Sequence, residues 1–131
     1  MKLIIDTNIV FSLLLKHNLD KKIFEYDLYS PKDLVIELFK YKSKIEKFSK
    51  NKNLQKSYEF LIRKVVIIDE RLIPDIYLKK SYELIKDIDI KDLHFVALSL
   101  YIKAPLLTGD KKLIDGLKSK GFLDVISLNE I

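Results

Sequence analysis

Four acidic residues are spaced so that their carboxylates can share one site. Asp6 directly follows the apolar residues 3–5, and Asp110 follows the apolar residues 106–107 after a short turn. The carboxyl ends of parallel strands meet in one crevice, so we expect these two acids to point into it. Glu37 and Asp92, from two predicted helices, complete the set. Packed carboxylates repel one another unless cations neutralise them, so the pattern predicts a site for divalent cations.

The available ligand atoms indicate which cation such a site would hold. The sequence has no cysteine, which excludes disulfides, thiolate zinc sites and a cysteine nucleophile. Its two histidines, His17 and His94, have no matching partner nearby in the sequence, and we interpret His94, next to Phe95, as a packed or capping residue. Ligands that are all oxygen atoms favour Mg²⁺ or Mn²⁺ over zinc.

Each acid also has an ordinary structural interpretation. Asp6 and Asp110 both precede predicted helices, where an aspartate commonly caps the first backbone N–H groups. Asp89 and Asp92 flank the start of another helix, where carboxylates favour the helix dipole. Glu37 lies inside a helix and, taken alone, is an exposed surface glutamate. Only the combination of the acids favours a shared site.

The elements that must position these acids are short apolar strands alternating with longer amphipathic segments. The predicted strands cover residues 3–5, 27–29, 65–68, 106–107 and 125–126, and the predicted helices cover residues 8–16, 31–49, 54–62, 74–86, 91–101 and 111–118. Such alternation is typical of an α/β fold, in which helices cover both faces of a mostly parallel sheet in three layers. No repeat or linker divides the chain, so we expect one domain over residues 1–131.

The positive charge is concentrated in one part of the chain. The formal net charge is +5, but residues 40–64 contain nine lysine or arginine residues and only two acids. This segment is either a phosphate-binding face or a solvated, lysine-rich helix pair.

The first apolar run, residues 3–15, is broken by polar residues and is too short to span a bilayer. We therefore expect a cytoplasmic protein without a membrane partner.

The ordered motifs resemble the PIN-domain family, in particular its VapC-like ribonuclease toxins. The resemblance spans nearly the whole chain. It rests on Leu-Ile-Ile-Asp-Thr-Asn at residues 3–8, Glu37 in a helix after Ser30-Pro31, Asp92 ahead of Phe-Val-Ala-Leu, and Thr-Gly-Asp-Lys-Lys-Leu at residues 108–113. The family implies a PIN-like three-layer fold and a metal-dependent endoribonuclease. It also implies a homodimer, for which Phe11, Phe24, Tyr26, Phe48 and Phe60 offer apolar surface, and a cognate antitoxin as a partner.

The resemblance also implies roles for individual residues. Asp6, Asp92 and Asp110 would bind Mg²⁺ or Mn²⁺, and Glu37 would bind directly or through water, with Asp6 as the candidate to bridge two ions. Thr7, Asn8 and Thr108 would support these acids by hydrogen bonds. Asp89 and Asp115 are additional candidates, and Asp89 either joins the site or only caps its helix. RNA would contact Lys40, Lys44, Lys111 and Lys112. The basic segment is accordingly interpreted as substrate-binding.

Other families with acids at strand ends fit less well. A receiver-type phosphoacceptor domain would have a pair of acids after the first strand, and here Ile5 precedes a single Asp6. A haloacid-dehalogenase-type phosphatase needs a second aspartate at position 8, which is Asn8. The alternative that stays open is a non-catalytic PIN domain that binds RNA or a protein partner.

Overall fold

The fold is taken from a computed structural model, which describes residues 1–15, 21–49 and 54–131. The strands are β1 (Lys2–Ile5), β2 (Asp27–Pro31), β3 (Val65–Ile68), β4 (Leu106–Leu107) and β5 (Val125–Ile126), and the helices are α1 (Thr7–Leu15), α2 (Asp33–Lys40), α3 (Lys42–Phe48), α4 (Leu54–Lys64), α5 (Asp75–Ile85), α6 (Leu93–Ile102) and α7 (Lys111–Ser119). His17 and the polar break predicted at residues 51–53 lie outside the described residues.

The strands form one parallel sheet in the order β3-β2-β1-β4-β5. The central strand β1 is apolar and buried along residues 3–5, as a strand covered on both faces must be. The chain builds outward from β1 to β3 and then returns to the other side of β1 with β4. Strand order therefore reverses between β1 and β4, which is where parallel α/β sheets bind their ligands. The predicted three-layer α/β/α class is confirmed.

Alternate residues of β1 belong to the two layers that enclose the sheet. Leu3 and Ile5 pack with the buried residues of α1, α2, α3 and α4 on one face. Ile4 packs with those of α5, α6 and α7 on the other face. Because successive strand side chains point to opposite faces, three consecutive apolar residues support both layers. Glu37, on α2, and Asp92, which directly precedes α6, thus come from opposite layers.

The prediction of one continuous helix over residues 31–49 is wrong. It is two helices, α2 and α3, separated at Tyr41, whose backbone angles are φ −102° and ψ 13°. The Tyr41 ring packs edge to face on Phe11 of α1, with the ring centroids 5.7 Å apart, and Ile45 is buried in the core. The bend allows α3 to pack along α1. No glycine or proline near Tyr41 indicates this bend in the sequence, because it is set by tertiary packing. Pro31 ends β2, opposite Ile68, and does not start the helix.

The helix predicted from residue 91 begins later than expected. Residues Ile90–Asp92 form a 3-10 turn, and α6 starts at Leu93. The side chain of Asp89 accepts a hydrogen bond from the backbone N–H of Lys91 at 3.1 Å, which caps the turn. Asp92 therefore precedes α6 at its N-cap position and makes no capping hydrogen bond through its side chain.

The aromatic residues proposed for a dimer surface divide into two groups. Phe11, Phe24 and Tyr26 are partly buried and pack against the core, so they offer little free surface. Phe48 and Phe60 are 63% and 38% exposed.

Within the ranges described, no helix has the length and apolar character needed to cross a bilayer.

Candidate active site

Asp6 lies at the carboxyl end of β1, at the point where the strand order reverses. Its side chain is 5% exposed. Oδ1 accepts a hydrogen bond from the backbone N–H of Thr7 at 2.7 Å, and Oδ2 accepts one from the hydroxyl of Thr108 at 2.6 Å. Burial raises the pKa of Asp6 to about 6, although these two hydrogen bonds lower it, and the charges of Glu37 and Asp110 raise it further. The carboxylate is fixed in place and held with little compensation for its charge.

Three further hydrogen bonds fix the loop after β4, one within the loop, one to α1 and one to α7. The Thr108 hydroxyl accepts from the backbone N–H of Asp110 at 3.1 Å, and Asn8 Oδ1 accepts from the N–H of Gly109 at 3.2 Å. Asp110 Oδ1 accepts from the N–H of Leu113 at 3.2 Å, so this acid does cap α7. Capping and a place beside Asp6 are compatible, because the cap fixes the direction of the carboxylate.

Asp92 is the most perturbed acid of the group. Burial is the main cause that raises its pKa to about 7, and the charges of Asp6, Asp89, Asp110 and Glu37 add to the effect. Charges act on one another in this way only at short range, so these acids occupy one end of the sheet. Glu37, on α2, is partly buried. The structure thus brings the four predicted acids into one electrostatic cluster.

The cluster is open. Among the described residues, no three acidic or histidine side chains converge closely enough to enclose a metal ion. Asp6 follows a strand, Asp110 lies in a loop, Glu37 is on α2, and Asp92 ends the 3-10 turn before α6, in the opposite layer from α2. Their separation therefore depends on how the two layers are held together at this edge of the sheet.

The two additional candidates differ in their surroundings. Asp89 caps the 3-10 turn, lies 3.8 Å from the Lys91 ammonium, and also raises the pKa of Asp92. It contributes to the field of the cluster while holding the turn. Asp115 is exposed on α7 and is not among the charges that raise the pKa of Asp6 or Asp92.

The predicted RNA-binding lysines lie on two exposed surfaces. Lys111 and Lys112 are exposed in the first turn of α7, directly after Asp110. Lys40 and Lys44 flank the ring of Tyr41, with their Nζ atoms 5.4 Å and 5.9 Å from its centroid. The second surface therefore combines cations with an aromatic ring.

One pair of side chains beside the acids was not predicted as a pair. His94 Nδ1 lies 2.8 Å and 2.9 Å from the two carboxylate oxygens of Asp33. Asp33 precedes Glu37 by four residues, which places both on one face of α2. This spacing was the sequence feature that could have indicated that Asp33 lies near the acids. The interpretation of His94 as a packed residue missed its partner, because the two are 61 positions apart in the sequence.

The comparisons with known proteins agree with this architecture. The chain resembles a chain in the crystal structure of VapBC2 from Rickettsia felis bound to a DNA fragment from their promoter, with a TM-score of 0.64 and 18% identity over 97% of each chain. At this identity the likeness shows the fold. No curated protein matches the sequence significantly. A profile of the PIN domain matches residues 4–128, nearly the whole chain, and this chain therefore belongs to the PIN-domain family, as its motifs predicted.

Proposed function

We propose that this protein is a divalent-metal-dependent endoribonuclease that hydrolyses RNA phosphodiester bonds at the acidic cluster. Members of its family are generally nucleases. The observation that carries the proposal is the uncompensated charge at the sheet edge, where the pKa of Asp6 is raised to about 6 and that of Asp92 to about 7. Carboxylates that repel one another in a partly buried crevice are stabilised when cations bind between them.

The residues present fit Mg²⁺ or Mn²⁺. All the charged ligand atoms are carboxylate oxygens, which these hard cations prefer. The Thr7 hydroxyl, next to Asp6, is buried and has no hydrogen-bond partner in the described part of the chain, so it is a further free oxygen. Asp6, Asp92 and Asp110 would hold the cation, and Glu37 would do so directly or through water. When bound, divalent cations acidify a water molecule and stabilise the attacking and leaving oxygens of phosphodiester hydrolysis.

The chain's own residues orient the site. Thr108 and the N–H of Thr7 hold both oxygens of Asp6, so this carboxylate does not have to be ordered when substrate arrives. Asn8 keeps the loop after β4 against α1 through Gly109. Lys111 and Lys112 follow Asp110 and would neutralise RNA phosphates beside the acids. Preorganised groups of this kind lower the cost of reaching the transition state.

A second surface would bind RNA farther from the acids. Tyr41 directly follows α2, and its backbone N–H donates to the carbonyl of Glu37 at 3.1 Å, so this residue lies about one helical turn beyond Glu37. Lys40 and Lys44 flank its ring. Aromatic rings between cations suit unpaired nucleotides, since bases stack on the ring while phosphates contact the lysines. We therefore favour a single-stranded segment of RNA on this face.

A protein partner is also part of the proposal. The similar fold from Rickettsia felis was solved as VapBC2 on promoter DNA. In the present protein an apolar groove of about 230 Å³ between α2 and α4 includes Val35, Leu38, Phe39 and Ile62, and Phe39 is 81% exposed. Such a surface favours association with another polypeptide. We propose a cognate antitoxin and a homodimer on this basis, and the cytoplasmic location stays a prediction from the sequence.

The deciding experiment is cleavage of a labelled total-RNA pool by the purified protein. We expect cleavage with Mn²⁺ or Mg²⁺, no cleavage with EDTA, and a loss of at least about a hundredfold in Asp6→Asn, as when one key electrostatic group is removed. Asp124→Asn is the matched control, because this exposed aspartate precedes β5 at the opposite end of the sheet.

The alternative is a non-catalytic PIN domain. It is supported if neither the original protein nor Asp6→Asn cuts RNA with any cation while both bind RNA or a protein partner equally. Cleavage that persists in EDTA would contradict the metal dependence, and cleavage by Asp6→Asn at the original rate would exclude the acidic cluster as the site.

A further inference from the structure

The hydrogen bond between His94 and Asp33 connects the two layers of the fold. Asp33 lies in the first turn of α2, just after β2 ends, and α2 belongs to the layer with α1. His94 is the second residue of α6, which belongs to the opposite layer. Because both helices begin at the carboxyl edge of the sheet, the bond passes from one layer to the other at the edge that carries the acids.

The two partners are close in sequence to the acids that depend on this spacing. Asp33 is on the same face of α2 as Glu37, one helical turn earlier. His94 follows Asp92 by two residues. The helix α2 packs mainly on α1, α3 and β2, whereas α6 packs mainly on α5, the 3-10 turn and strands β1, β2 and β4. The His94–Asp33 contact is therefore a direct restraint between the elements that carry Glu37 and Asp92.

The geometry suits a restraint. The imidazole Nδ1–H donates to a carboxylate whose two oxygens lie 2.8 Å and 2.9 Å away. The side chains are only 29% and 25% exposed for His94 and Asp33, so water competes weakly for the bond. Hydrogen bonds to an ionised carboxylate are about twice as strong as neutral ones. Two stiff, short side chains joined in this way limit the separation of the helices.

We propose that the His94–Asp33 hydrogen bond is a positioning clamp that fixes Glu37 relative to Asp92 and so sets the affinity of the acidic cluster for Mg²⁺ or Mn²⁺. The inference rests on the proposed metal-dependent function. It follows from the open arrangement of the acids, because ligands from two layers can close on an ion only if the layers keep their spacing. Outer groups that orient metal ligands typically affect metal affinity by about 10- to 100-fold.

The test is titration of the purified, metal-free protein with Mn²⁺ alone, by calorimetry and without RNA. Asp33→Ala and His94→Gln remove the clamp, and we expect Mn²⁺ affinity to fall about tenfold or more in both. His94→Asn keeps an amide N–H near the position of Nδ1, and we expect it to retain most of the affinity. Ser49→Ala is the control, because it removes a 2.8 Å hydrogen bond to the Leu14 carbonyl, two helical turns from Asp6.

The outcomes separate the clamp from the proposed function. If the original protein does not bind Mn²⁺, the metal-dependent function fails, and the clamp fails with it. If the original protein binds and the clamp variants bind equally well, the clamp is overturned and the function stands. Circular dichroism at the titration temperature ensures that only folded variants are compared, and His94→Gln alone carries the test if Asp33→Ala does not fold. If His94→Asn keeps Mn²⁺ affinity but loses RNA cleavage, the histidine acts through Nε2, which contradicts a positioning role.

Discussion

The hydroxyl of Thr108 joins the two halves of the proposed site. It donates to Asp6 and accepts from the backbone of Asp110, so one small side chain fixes an acid after β1 and the loop after β4. Valine has the same shape but would leave a carboxylate oxygen without its partner, which typically costs about 1 to 3 kcal/mol when the group is buried. A threonine two residues before an aspartate is thus a structural requirement of the site as well as a sequence motif.

The raised pKa values predict how the stability of the metal-free protein depends on pH. Asp6 and Asp92 have pKa values of about 6 and about 7 in the folded chain, against 3.8 for an ordinary aspartate. The folded state therefore binds more protons, so the free energy of unfolding falls as pH rises from about 4 to about 7. At about 1.4 kcal/mol per pKa unit, we expect Asp92 alone to contribute about 2 to 4 kcal/mol to this fall.

Urea unfolding at about pH 5 and about pH 8 measures the effect. Asp92→Asn should lose the part of the pH dependence that Asp92 contributes, keep the part from Asp6, and exceed the original protein in stability at the higher pH, whereas Asp124→Asn should behave like the original. Saturating Mn²⁺ should flatten the dependence. The same fall in stability in Asp92→Asn as in the original protein would show that Asp92 is not the origin of the effect.

Asp6, Asp92 and Asp110 could be identified from the sequence because each follows a local pattern, an apolar strand or a helix start, whereas Glu37, inside a helix, was identified only through the resemblance to the family. The hydrogen-bond partners of the residues at the site were harder to predict from the sequence. The bond between Asp6 and Thr108 was anticipated only as a general supporting role, and the partner of His94 was missed, since both depend on contacts between distant segments. The sequence also indicated a gathered metal site, whereas the described acids form an open cluster.

Element boundaries were predictable where local chemistry sets them. Gly121, directly after the C-cap of α7, has φ 87°, a left-handed conformation that glycine adopts without strain, so a glycine at this position indicates a helix end. The break at Tyr41 was not predictable, because it arises from packing of α3 on α1. The 3-10 turn before α6 depends on a cap by Asp89 that also fits an ordinary helix start.

The close approach of α7 to the segment before the 3-10 turn gives a prediction for Gly116. A Cβ atom added there would lie 2.6 Å from Cδ1 and 3.0 Å from Cγ1 of Ile88. We expect Gly116→Ala to lower the free energy of unfolding, because crowding of this kind costs about 1 to 3 kcal/mol and exceeds the gain of about 1 kcal/mol in helix propensity.

A double-mutant cycle by urea unfolding checks this prediction. Ile88→Val removes the Cδ1 atom, so the combination of Gly116→Ala with Ile88→Val should be more stable than the sum of the two single changes predicts. If Gly116→Ala is as stable as the original protein, Ile88 moves aside freely and the contact does not hold the turn that carries Asp92.

At the scale of the whole molecule, the charge distribution separates two surfaces. The formal net charge of +5 coexists with an acidic cluster, so the basic residues must lie elsewhere. Of four exposed lysines, Lys111 and Lys112 directly follow Asp110, whereas Lys40 and Lys44 lie at the end of α2 and on α3, farther from the acids. In the proposed function, these lysines would offset the repulsion of RNA phosphates by the acids.

The salt dependence of RNA binding tests this arrangement. In an Asp6→Asn background that prevents cleavage, changing both Lys40 and Lys44 to alanine should reduce the slope of log K against log salt by about 1.4, or ~0.7 per lost phosphate contact. Changing both Lys79 and Lys80, two exposed lysines of α5, removes the same charge and is the matched control. Equal slopes for the two double variants would exclude the Lys40 and Lys44 surface as the RNA-binding face.

The fold class and its three layers could be predicted from the sequence, because alternating strands and helices allow few arrangements. The parallel direction of the strands follows from the helical crossover connections between them. The register of the sheet and the mutual orientation of its layers could not be predicted, because they depend on side chains that meet only after the chain has folded.

The hydrogen bond between Asp6 and Thr108 joins residues that are 102 positions apart. During translation at about 5 to 20 residues per second, the ribosome adds the second residue roughly 5 to 20 s after the first. Asp6 consequently remains without this partner until Thr108 has been added. If the proposed activity is correct, a nascent chain that has not yet reached Thr108 and Asp110 lacks part of the site and cannot cut RNA.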